Sequence, residues 1–200
     1  RLRFNASAFT MDFEDKQEEI KGPDPSNATG QVSLVRNAAQ ATISGLEVEI
    51  QAQVSDALYV RANAGFLDAE YDEFSYTSSA GPVDFSARDM RRTPDITANI
   101  DATYSWDTAG GEAWVRVAGR YIDKHFVDNE NTIELENDDG TLTLDASLNY
   151  RRDDLTVSLF GRNLTDEDAW TMGYDVAPLW SYGSIQEPRV LGIELMFEYN

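Results

Sequence analysis

From Asp95 to Trp106 polar and apolar residues alternate for twelve positions without a slip. Only an extended strand, whose side chains point to opposite faces in turn, gathers such a run into one wet face and one greasy face. The alternation recurs in Leu46 to Val54, Leu58 to Phe66, Ala113 to Tyr121, Leu142 to Tyr150, Leu155 to Gly161 and Leu191 to Tyr199. A first segment, Leu2 to Phe13, is rich in β-formers but changes phase. Leu2, Phe4, Ala6 and Ala8 fall on one face, and Phe9, Met11 and Phe13 on the other. The pattern predicts eight strands of about 10 to 14 residues, about twice the length of a mean globular strand.

The connections constrain the architecture further. Three are tight, at residues 55–57, 107–111 and 151–154, and four are long, at about 16–40, 73–94, 127–140 and 165–187. Long and short alternate strictly, so an antiparallel meander would carry all its tight turns at one end and all its long loops at the other. Transmembrane β-barrels are built this way, with strands of roughly 9 to 11 residues crossing the hydrocarbon at a tilt. Tyr104, Trp106, Tyr150, Phe197 and Tyr199 cluster at the tight-turn ends, as in an aromatic girdle at the membrane interface. The lipid-facing set is then Ile96, Ala98, Ile100, Ala102, Tyr104 and their equivalents, and the lumen-facing set is Thr97, Asn99, Asp101, Thr103 and theirs.

Composition excludes other classes. Sixteen lysines and arginines stand against 36 aspartates and glutamates, a formal charge of −20, so a polyanion such as nucleic acid is repelled. The absence of cysteine removes disulfides, thiolate metal sites and a cysteine nucleophile. No apolar run approaches the roughly 18 residues of a spanning helix. The first residues carry neither an initiating methionine nor an apolar signal segment, as expected of a chain cut from a longer precursor.

The segments 35–41, Ser44 to Glu49 and Leu58 to Tyr71 resemble the later barrel strands of TonB-dependent outer-membrane receptors, as does Arg92-Thr93-Pro94-Asp95 leading into the next strand. The closing stretch, Leu155 to Phe160, then Gly161-Arg162-Asn163-Leu164-Thr165-Asp166-Glu167 and Glu187 to Leu195, is similar to that family's terminal hairpin. The resemblance covers the whole chain. It implies that residues 1–200 are the C-terminal segment of a barrel of roughly 22 strands, without the plug domain and N-terminal strands. It further implies energy-coupled uptake of a ferric siderophore, cobalamin or oligosaccharide across the bacterial outer membrane. The partners would be outer-membrane lipid and lipopolysaccharide, a small-molecule substrate, and the TonB complex reached through the missing N-terminal part; no cofactor is implied. One departure is that Asn200 follows Tyr199 where the family usually ends on an aromatic residue.

Few residues offer chemistry. The sole histidine, His125, lies where a strand runs into a long loop, and no serine sits at a nucleophile elbow beside it. A small eight-stranded barrel with a structural, adhesive or His125-dependent hydrolytic role, and a soluble all-β binding module, are the alternatives. Asp128, Glu130, Glu134, Glu136, Asp138 and Asp139 crowd one loop and give weak calcium candidates, but lack the spacing of a defined calcium loop. Trp170, Tyr174, Trp180 and Tyr182, beside Asp168 and Asp175, are weak substrate-binding candidates, since flat aromatic faces with carboxylates nearby can stack on and hydrogen-bond sugars and can pack ferric siderophores. The inward charges Asp101, Arg116, Arg120, Glu194 and Glu198 suit a wide wet lumen better than a narrow dry one. The strand of Phe4 and the strand of Phe197 are therefore expected not to pair, leaving an open wall.

Overall fold

The computed structural model describes residues 1–26, 30–78, 80–176 and 180–199, with the backbone alone at 31, 175 and 176. The Asp175 side chain and Asn200 thus lie outside the described residues. Eight strands form one antiparallel wall in sequence order: β1 (Leu2–Pro23), β2 (Gln31–Gln53), β3 (Leu58–Ser78), β5 (Ile96–Thr108), β6 (Gly111–Ile122), β9 (Thr141–Arg152), β10 (Leu155–Arg162) and β13 (Val190–Phe197). Three accessory pieces lie off the wall path. β4 (Gly81–Asp84) pairs with β3, β7 (His125–Phe126) with β8 (Glu136–Asn137), and β11 (Trp170–Val176) with β12 (Trp180–Ile185). Among the described residues β1 pairs only with β2 and β13 only with β10, the open arrangement expected from the polar inner face.

Register turns the alternation of each strand into rows. One outward row runs Phe4, Ile50, Ala62, Ile100, Gly119, Leu144, and another runs Leu58, Tyr104, Val115, Leu148, Leu159, Ile193. The inward rows between them are polar: Asn5 donates to Glu49 at 3.0 Å, Asn99 to Asn63 at 3.0 Å, and Arg116 Nε to Asp101 at 2.6 Å. Tyr104 and Trp106, with ring centroids 5.8 Å apart, stand at the tight-turn end, with Tyr150 in the same outward row as Trp106.

The first three strands run to 22, 23 and 21 residues, well past the expected 10 to 14, and absorb most of the segment expected as a loop at 16–40 and the beginning of that at 73–94. The phase change in β1 explains this. Beyond the row of Ala8, Leu46 and Phe66, the outer face carries Thr10, Ser44 and Asp68, then Asp12, Thr42 and Glu70. The apolar groups cross to the inner face, where Phe9 sits opposite Gly45, Met11 opposite Ile43 and Phe13 opposite Ala41. A side chain at Gly45 would meet the Phe9 ring at 2.5 Å, so the glycine is what lets that ring lie flat on the wall. Of these, Ala41 and Ile43 join a buried cluster with Ile20, Ala39, Tyr71, Phe74, Phe85 and Met90, whereas Met11 and Phe13 stay exposed. At the other edge β10 and β13 are shorter than expected, eight residues each.

Candidate ligand-binding site

At the long-loop end the connections fold over the inner face of the wall. A buried carboxylate gathers them. Glu18 is 1% exposed and belongs to β1. It pairs with Lys16, accepts from Tyr71 Oη of β3 at 2.9 Å and from Asn129 Nδ2 at 3.1 Å, and lies 3.7 Å from the Arg91 guanidinium. Burial, then the charge and hydrogen bond of Glu18, push the Tyr71 phenol well above the usual tyrosine range. Around this point Lys21 pairs with Glu130 at 2.8 Å, and Asp89 and Asn131 exchange two hydrogen bonds of 2.9 and 3.0 Å. The extension of β1 to β3, the 85–92 segment and the 127–132 segment are thereby tied into one unit.

The acidic residues of that last loop are already employed or apart. Asp128 accepts from the Thr132 amide at 3.1 Å and its hydroxyl at 2.6 Å, Glu130 holds Lys21, and Asp138 and Asp139 are exposed in a turn. Among the described residues no group of three or more metal-ligating side chains converges.

The β11–β12 hairpin completes the arrangement. Trp170 pairs with Ile185 but Met172 with Ser184, so one extra residue is inserted into β11 between them. Such a bulge reverses which face each side chain takes. Trp170 therefore points to one face, and Tyr174 and Tyr182, directly opposite each other, to the other. The Trp170 face packs on the wall loops through two glycines. A side chain at Gly183 would meet the Trp170 ring at 2.5 Å, and one at Gly173 would meet Leu135 at 2.7 Å and Val127 at 2.8 Å. Beneath lies a cavity of about 590 Å³ lined by Phe9, Glu47, Arg92, Arg120, His125, Asn137, Trp170 and Gln186 among others, with no serine in its lining.

The opposite face of the hairpin forms an aromatic platform. Ring centroids are 6.2 Å apart for Tyr174 and Trp180, 6.3 Å for Tyr174 and Tyr182, and 5.7 Å for Trp180 and Tyr182. Trp180 is 53% and Tyr182 48% exposed. Tyr174 is anchored to the β1–β2 extension by its hydroxyl against Ser33 and by Lys21 5.7 Å above its ring. Three of the four expected aromatics are thus brought together, and the bulge separates Trp170 from them. Asp168 is exposed beside the hairpin and makes no contact with the platform among the described interactions. Asn137, which no sequence pattern marks, is 8% exposed and joins the hairpin to β8: it donates to Trp170 O at 3.1 Å and accepts from Trp170 N at 2.8 Å.

A family profile described as TonB dependent receptor-like, beta-barrel, matches residues 1–164. Among solved structures, the chain resembles the ferric yersiniabactin uptake receptor FyuA from Yersinia pestis, with TM-score 0.79 and 19% identity over 100% of this chain and 28% of that one. It also resembles the siderophore receptor PiuA from Acinetobacter baumannii, with TM-score 0.73 and 20% identity over 99% of this chain and 26% of that one. A third is BauA, the ferric preacinetobactin receptor from the same organism, with TM-score 0.66, 18% identity and coverage of 98% and 27%. At these identities the likeness is one of fold, and the chain spans about a quarter of each receptor's length.

Proposed function

Because the chain belongs to the β-barrel family of TonB-dependent receptors, we propose that it is the C-terminal, eight-stranded part of a bacterial outer-membrane receptor that takes up a ferric siderophore in an energy-coupled step. The plug domain, the remaining strands of a barrel of roughly 22 and the contact with TonB belong to the rest of that receptor. Outer-membrane lipid and lipopolysaccharide cover the apolar rows. The observation that carries the reading is the pairing of an apolar outer face with a polar inner one, with an exposed aromatic platform above the inner face. Siderophore is preferred over cobalamin and oligosaccharide because the structural relatives are named for ferric siderophores and because stacked rings suit a ligand with planar groups. Receptor barrels transport rather than catalyse.

The test uses the intact receptor. A strain lacking it should fail to accumulate iron from one ferric siderophore in a panel, and the Trp180→Ala, Tyr182→Ala double variant should weaken binding of that chelate at least about tenfold, each stacked ring contributing about 1 kcal/mol. Unchanged accumulation from every iron source would overturn the reading.

A further inference from the structure

Asn137 stands between two groups whose hydrogen-bonding polarity is fixed. The Trp170 amide can only donate and its carbonyl only accept, so the two contacts orient the Asn137 side chain without ambiguity: Oδ1 receives Trp170 N at 2.8 Å and Nδ2 serves Trp170 O at 3.1 Å. The same Nδ2 lies 3.2 Å from His125 Nε2, which must therefore be the accepting nitrogen. At the far side of the ring, Nδ1 lies 2.9 Å from the Asp123 carbonyl, which can only accept, so Nδ1 carries the proton. Both ends require the same neutral tautomer.

We infer that His125 and Asn137 form a proton-sensitive catch that holds the β11–β12 hairpin over the cavity. A second proton would convert Nε2 into a donor facing the Asn137 amide NH₂. Turning the amide to offer Oδ1 would set Nδ2 against the Trp170 N–H and Oδ1 against the Trp170 carbonyl, breaking both hydrogen bonds that tie the start of β11 to β8. Docking is thus linked to the neutral ring, and acidification that protonates it opposes docking. The charged groups around the ring are Asp123 and Lys124 beside it, Glu136 on the paired strand β8, and Glu47, Arg92 and Arg120 across the cavity. Among the described residues none forms an ion pair with the imidazole. Asp123 is engaged by the Tyr121 hydroxyl at 3.0 Å and the Lys124 amide at 2.9 Å. His125 and Asn137 are positioning residues, acting through Trp170. The consequence for uptake rests on the transport reading above; the docking itself does not.

Hydrogen exchange of the intact receptor in detergent, followed by mass spectrometry on peptides covering 168–186 at pH 8 and pH 5.5, tests the catch. After correction for the intrinsic pH effect, exchange at Trp170 should rise severalfold on acidification, up to about tenfold, the limit that a single protonation linked to docking sets at pH 5.5. The His125→Gln variant, which keeps an acceptor but cannot take the proton, should stay protected at both pH values, and Asn137→Ala should be unprotected at both. Equal loss in wild type and His125→Gln, or no loss in wild type, would overturn the catch. Switching in a receptor that transports no siderophore would leave the catch standing and remove the transport reading.

Discussion

Placing an arginine at Ile100 tests the lipid-facing assignment most directly. Ile96 to Trp106 spans ten residue steps of the outward face of β5, about 34 Å at a rise of about 3.4 Å each. Tilted by about 45°, this length covers about 24 Å, close to the roughly 25 Å apolar band of an outer-membrane barrel. Ile100, four steps from one end and six from the other, lies near the midplane. It is 53% exposed, and its cross-strand neighbours Ala62 and Gly119 offer no polar group. An Ile100→Arg change in the intact receptor should therefore cost about 2 to 4 kcal/mol, or roughly 30- to 900-fold in the folded-to-unfolded ratio. Asn99→Arg, one step away on the inner face, gives up one hydrogen bond to Asn63 of 3.0 Å and should cost about 1 kcal/mol. Urea titration of receptor refolded into lipid vesicles, with electrophoretic heat-modifiability as the probe, reads both. Equal costs at the two positions would refute either the inside–outside assignment or the membrane itself.

Glu18→Gln should loosen the tied loops, raising proteolysis within 85–92 and 127–132, because Lys16 and Arg91 lose the buried charge that they share. Tyr71 should stay un-ionised as exposed tyrosines titrate, and stability tied to its neutral phenol should hold at neutral pH and fall only at strongly alkaline pH; tyrosinate absorbance follows this, with Glu18→Gln moving the transition down only partway because burial is the first cause. Gly45→Leu, which drives a side chain into the Phe9 ring, should destabilise by about 1 to 3 kcal/mol in the same urea assay. Residues 1–200 made alone should aggregate through the unpaired edges of β1 and β13, and a monodisperse soluble monomer by sedimentation would count against the open wall.

Where one face is apolar and the other polar, the strands were legible, because period two then separates the two without exception, as in β5. Legibility failed where that contrast inverts. Lys16, Gln17, Glu18 and Glu19 read as a solvated loop, yet they lie within β1, past two register shifts between Phe13 and Gln17 that break the period. A buried charge such as Glu18 is recognisable only once Lys16, Tyr71, Arg91 and Asn129, distant in sequence, are seen to converge on it. The aromatic platform was legible as composition, but one inserted residue in β11 decided that Trp170 faces the cavity and Tyr174 the opposite side. Asn137 carries no sequence signal at all, since its role follows from the backbone polarity of a strand more than 30 residues away.

The inversion along β1 to β3 also separates the membrane reading from a soluble one. A soluble sandwich would need a second layer over every outward row, yet Leu191, Ile193 and Leu195 are 71, 69 and 69% exposed, and the outward row of Phe4, Ile50 and Ile100 has no covering element among the described residues. A protein layer covering that face would have no reason to stop at one level. Lipid does, because the hydrocarbon has an edge, and a strand passing that edge must exchange its apolar outer groups for polar ones while any buried apolar contact moves to the inside. The change at Phe9, Gly45 and Leu67 occurs at one level across three neighbouring strands, as an edge shared by all three requires. Beyond that level Ile43, Ala41 and Ala69 lie on the inner side and join the cluster around Phe74 and Tyr71. The reversal along β1 to β3 thus sets the level at which the outer face turns polar and the loops begin to fold over the inner one.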